Sequence, residues 1–176
     1  MKRQAFSFFA AAFFSIFPAN FSGAEIPSSV QKVFAKPSEI GAAELRFVGM
    51  KVYDIALWSS DSEFSYKKPF AIQIKYNMNF DREDLAKRSV VEIKKLHELT
   101  KEEEKNYQEQ LLKIFHSVKK GDEKLAVFTP SKGVLMMYNG QKVGEISDLK
   151  LARLFVDIWL NLRGSYPEIS KKILGL

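Results

Sequence analysis

Three consecutive segments decide the fold. They are Gly133-Val-Leu-Met-Met-Tyr-Asn-Gly-Gln-Lys-Val-Gly-Glu-Ile-Ser-Asp148, Leu149-Lys-Leu-Ala-Arg-Leu-Phe-Val-Asp-Ile-Trp-Leu-Asn-Leu162 and Pro167-Glu-Ile-Ser-Lys-Lys-Ile-Leu-Gly-Leu176. Asn139-Gly140 is the signature of a type I′ hairpin, whose two central residues both need positive φ. It predicts paired strands at 134–138 and 141–146. Asp148 then starts a helix. Its polar stripe is Lys150, Arg153, Asp157 and Asn161, and its broad apolar side holds Leu151, Ala152, Phe155, Ile158, Trp159 and Leu162. Pro167 suits the first position of a final helix, where its missing N–H costs nothing.

Working outward from this block, residues 124–129 read as a further strand. Thr100-Lys-Glu-Glu103 is a capping box opening a helix with the stripe Tyr107, Leu111, Ile114 or Phe115, and Val118, closed by Gly121-Asp122. Asp81 caps an earlier helix running to about residue 99, with Phe80 and Leu85 as a hydrophobic staple. In residues 70–76, Phe70, Ile72, Ile74 and Tyr76 alternate with Ala71, Gln73 and Lys75, the pattern of a half-buried strand. Strands at 43–48 and 50–59 flank Gly49. The second is apolar on both faces (Met50, Val52, Ala56 and Trp58; Tyr53, Ile55 and Leu57), as expected of a central strand covered on both sides. Residues 25–38 form a polar lead-in with one short strand at 30–35. Runs of strands followed by runs of helices predict an α+β domain with a mostly antiparallel sheet.

The first 24 residues read as a secretory signal peptide. Lys2 and Arg3 form a basic start, an apolar run follows to Phe17, and Ser22-Gly23-Ala24 supplies small residues for cleavage after Ala24. That apolar run is shorter than the roughly 20 residues that span a bilayer. Residues 25–176 then form a single domain in the periplasm or outside the cell. The chain has no Cys, which excludes a lipoprotein anchor, disulfides and thiol chemistry. The net charge is +6, of which Lys2 and Arg3 supply two, leaving +4 on the mature chain. The basic pairs are scattered and interrupted by acids, which argues against nucleic acid as a partner and leaves room for weak contact with an anionic membrane surface. The oligomeric state is not readable.

Several of these pieces together resemble the chalcone-isomerase-like family. Lys51-Val52-Tyr53-Asp54 with Leu57-Trp58 matches its central strand, and Tyr76 followed by Leu85-Ala86-Lys87-Arg88-Ser89 and Glu92 matches its first-helix entry. Phe115 through Lys120-Gly121-Asp122 matches a turn, and Asn139-Gly140, Phe155, Ile158-Trp159-Leu160 and Leu174-Gly175 match its C-terminal block. The resemblance covers about residues 40–176. It implies an open-faced β-sandwich, with a large sheet and helices packed on one face enclosing a cleft. In the plant ring-closing enzymes of that fold the cleft holds an Arg, a Thr, a Tyr and an Asn. Here the Thr position falls at Tyr53, and the Tyr and Asn positions fall near Asp84 or Leu85 and Val90 or Val91, so that catalytic set is not carried over. A second plant branch binds fatty acids with an Arg and a Tyr. Tyr53 fits its Tyr, and Arg46 is the one nearby Arg, closer to the strand than the family pattern has it.

The candidate ligand-binding residues are therefore Arg46, Tyr53, Arg88, Ser89 and Glu92, with Asp54 as a candidate catalytic acid. Each has a plain alternative. Tyr53 reads as a ligand donor or as a core Tyr, and Arg46 as a bidentate carboxylate clamp or an edge-strand surface residue. Asp54 reads as an acid/base group or as the partner of an Arg or Lys. Arg88, Ser89 and Glu92 share a helical face, as a cleft mouth or a solvated ion-pair face. Phe155 and Trp159 read as core. His97 and His116 lack metal spacing, so neither a metal nor any cofactor is expected. Three functions follow: a non-catalytic binder of a small apolar ligand such as a fatty acid, an isomerase or lyase for an aromatic or enone substrate using Asp54, Tyr53 and Arg46, or an envelope interaction module.

Overall fold

Six strands follow one another across a single antiparallel sheet in chain order: β1 (Ser38–Phe47), β2 (Met50–Ser59), β3 (Phe70–Tyr76), β4 (Glu123–Thr129), β5 (Gly133–Tyr138) and β6 (Gln141–Ile146). The computed structural model describes residues 26–176, so the expected signal peptide and its cleavage point lie outside the described residues. A short α1 (Ser28–Gln31) precedes the sheet. Helices α2 (Arg82–Leu96) and α3 (Lys101–Ile114) form the β3–β4 connection, and α4 (Leu149–Leu160) and α5 (Pro167–Ile173) follow β6. Helices α2 to α5 share one core with one face of the sheet, built on Ile55, Leu57, Phe70, Ile72, Ile93, Leu111, Leu151 and Ile173. The expected α+β open-faced architecture is the observed one.

Local signals explain most elements. Asn139 and Gly140 have φ of 46° and 76°, the I′ geometry their sequence predicts. Thr100 and Glu103 form both bonds of the capping box. Asp81 occupies the N-cap of α2 without a side-chain bond, and Ser117 Oγ accepts from the Arg82 N–H instead, at 3.1 Å.

Three expectations are corrected. The expected strand at 30–35 is the helical turn of α1, because Val30 and Phe34, four apart, land side by side on the outer face of the sheet. There they cover Ala56, Trp58, Ala71, Leu125, Val127 and Met137. Burying each stabilises by about 1.5–3 kcal/mol. Helix α3 stops at Ile114, where Phe115 turns extended, and Val118 pairs with Phe80 in a β-bridge. Lastly, the register shifts between Leu45 and Arg46, so Leu45 faces Tyr53 but Arg46 faces Lys51. Val52, the extra residue, packs with the helix-side core, and not beside Ala56 and Trp58.

Helix α5 lies directly on β1. A Cβ at Gly41 would fall 2.1 Å from the Lys172 carbonyl oxygen, so only glycine allows this approach.

Candidate functional site

Between the sheet and the helix layer, six side chains form a closed circuit. Tyr53 on β2 and Tyr76, its register partner on β3, meet edge to face at 6.2 Å between centroids. From α4, Trp159 Nε1 donates to Tyr53 Oη at 3.1 Å. Phe155, one turn earlier, stands 5.4 Å from Trp159 and 6.0 Å from Phe115. Lys124 on β4 closes the circuit, its Nζ lying 4.4 Å from the Phe115 ring centre and 5.8 Å from that of Tyr76. The arrangement follows from strand alternation. Lys124 points to the same face as Ala126 and Phe128, which belong to the helix-side core.

Lys124 is 6% exposed, and its Nζ has no hydrogen-bond partner among the described residues. Burial, partly opposed by Asp122, draws its ammonium down to about 8. Burial drives the Tyr53 and Tyr76 phenols far above the ordinary range.

At the edge of the circuit lies a charged cluster. Arg88 Nη2 donates to Tyr166 Oη at 3.0 Å and pairs with Glu92 at 2.6 Å. Lys95 Nζ lies 3.1 Å from the same Glu92 oxygen and donates to Ser165 Oγ at 2.8 Å. Two cations thus flank one buried carboxylate. Tyr166 and Glu92 both act electrostatically on Tyr53, which puts this cluster beside the aromatic circuit.

The structure divides the sequence-derived candidates. Tyr53, Arg88 and Glu92 come together. Ser89 lies on the same helix, but its Oγ is taken by the Leu85 carbonyl at 2.9 Å. Arg46 and Asp54 sit across the sheet. Arg46 pairs with Glu44 at 2.6 Å and donates to the Gly49 carbonyl at 3.1 Å. Lys51 bridges Glu44 (3.2 Å) and Asp54 (2.6 Å), and Asn77 Nδ2 donates to Asp54 at 3.1 Å. The combination of Arg46, Tyr53 and Asp54 as one acid, donor and clamp set is therefore not assembled.

Two residues that the sequence reading passed over are buried and charged. Lys124 is one, and the alternation Lys124, Ala126, Phe128 was its signal. The other is Asp157, expected on a solvated stripe but 6% exposed. Tyr66 Oη donates to it at 2.5 Å and Arg153 Nε at 3.1 Å, and His97 Nε2 lies 3.5 Å away. The Arg153 guanidinium also stacks on the Tyr66 ring at 3.2 Å.

Two surface depressions of about 470 Å³ each lie elsewhere. One runs between α2 and α3, past Val91, Lys94 and Leu112, and the other sits between α1 and the β2–β3 loop, at Phe34, Asp61 and Lys68. Neither reaches the aromatic circuit.

Comparison with known proteins fits this architecture. The family model described as chalcone isomerase-like matches residues 20–175, and the chain belongs to that family. Among solved structures it is similar to an Arabidopsis thaliana fatty-acid binding protein, with a TM-score of 0.64 at 8% identity over 92% of this chain and 96% of that one. At that identity the likeness is one of fold. No curated protein sequence matches.

Proposed function

We propose that the protein is an exported, non-catalytic binder of an apolar acid of the fatty-acid type, held between the sheet and the helix layer. The observation that carries this is the aromatic circuit of Tyr53, Tyr76, Phe115, Phe155 and Trp159 beside a cluster with two cations to one carboxylate. Apolar sites with a few polar anchors are how such ligands are held, and the net positive charge favours an anion. The fatty-acid binding of the Arabidopsis neighbour supports the same ligand class. A non-catalytic role is supported by the loss of the plant enzymes' Tyr and Asn, and by the position of Asp54, paired with Lys51 across the sheet from Tyr53. Neither of the two depressions described above reaches the circuit, so on this reading the helix layer parts from the sheet to admit the ligand.

The test is native mass spectrometry of the mature chain, purified without detergent, followed by solvent extraction. A co-purifying acyl chain, or uptake of added palmitate read by the fluorescence of Trp159 in a Trp58→Phe background, is the expected result. A clean apo mass with no uptake removes the reading.

A further inference from the structure

Resting on that binder reading, we propose that Lys124 is the anchor of the ligand's carboxylate, so that the acid head lies deep in the interior and the tail runs along the aromatic circuit toward Tyr53 and Trp159. An ammonium needs acceptors for three N–H donors, and Lys124 finds none among the described residues. The faces of Phe115 and Tyr76 attract the charge but accept no conventional hydrogen bond. The nearest acid, Asp122, is already committed. It accepts from Tyr138 Oη at 2.7 Å, from Asn139 Nδ2 at 3.0 Å and from the Lys119 N–H at 2.7 Å.

The titratable groups acting on Lys124 are thus Tyr76 from β3 and Asp122 just before β4, and neither forms an ion pair with it. A buried charge without a counter-ion is costly, and proteins ordinarily pair or remove it. Methionine would fill the same space at lower cost. The amine is positioned where an incoming carboxylate would supply the missing acceptors and the missing charge together. The cluster at Arg88 cannot do this as fully, because Glu92 already occupies its guanidinium. It acts as a positive entrance instead.

The discriminating experiment compares two probes of equal tail, laurate and dodecanol, by isothermal titration of the delipidated mature protein. The wild type should take laurate at least about tenfold more tightly than dodecanol, the margin of a charge-assisted contact in a dry site. Lys124→Met should erase that preference by weakening laurate alone. If the wild type binds both probes equally, or if Arg88→Gln erases the preference while Lys124→Met keeps it, the Lys124 assignment falls and the binder reading stands. If neither probe binds, both fall.

A second measurement needs no variant. The Lys124 side-chain NMR signal, titrated with pH, should show a depressed midpoint in the free protein that moves upward when laurate is added. An unmoved midpoint in a laurate-saturated sample overturns the assignment.

Discussion

Asp157 and Lys124 are equally buried on the same side of the same sheet, and they are treated in opposite ways. Asp157 is met from three directions. Tyr66 comes from the β2–β3 loop, Arg153 from its own helix and His97 from the end of α2. It fastens a loop to two helices. Lys124 is met only by ring faces. Burial alone therefore says little about the purpose of a charge, and the number of its partners says more. A charge whose partners are complete belongs to the scaffold, whereas one left short of partners is a cost to stability that binding can relieve.

Breaking the satisfied cluster should have the largest effect. Asp157→Ala strands Tyr66 and Arg153 and should cost about 3 kcal/mol, read from urea unfolding. A loss no larger than that of a surface mutation would abolish the contrast.

Lys124 should show itself through pH. Its folded ammonium sits at about 8, against an ordinary value of 10.5. Between those values the unfolded chain holds more protons than the folded one, so stability rises with pH across that window. The penalty is fully present below about pH 8, and its relief is worth about 3 kcal/mol. Above pH 10 the raised phenols of Tyr53 and Tyr76 reverse the trend, because only the unfolded state ionises there readily. Urea unfolding should therefore reach its maximum near pH 10 in the wild type. Lys124→Met should be as stable as the wild type or more so at pH 7, and flat from pH 8 to 10.

Tyr53→Phe removes the acceptor of the Trp159 N–H and should cost about 1 kcal/mol, with a change in Trp159 fluorescence in the Trp58→Phe background. Asp54→Asn weakens a half-exposed pair with Lys51 and should cost at most about 0.5–1 kcal/mol, with no change in laurate binding. Lost binding there would bring the outer face of the sheet back into the function.

Much of the fold was legible because its signals are local. The alternation from Phe70 to Tyr76, the Asn139-Gly140 turn and the Thr100–Glu103 box each act within a few residues, and the structure keeps them all. Helix α1 was not legible because Val30 and Phe34 span a single turn, too short for a period to show. The candidate site was legible in part. Arg46 pairs within its own hairpin because it directly follows Leu45, the register partner of Tyr53, and strand alternation sends it to the opposite face. Lys124 and Asp157 were hidden by a habit of reading charges as solvated. Their partners, Phe115 and Tyr66, lie on other elements, where no spacing rule reaches.

The contact of α5 with Gly41 sets a timetable. The first strand of the sheet is covered by the last helix of the domain, across some 130 residues of intervening chain. As the polypeptide emerges from the ribosome, β1 carries Ala43 and Leu45 with no roof over them until the final turns are made. Closure is thus a late, long-range event of the kind that slows folding. The growing chain remains open at this edge of the sheet until α5 has been made.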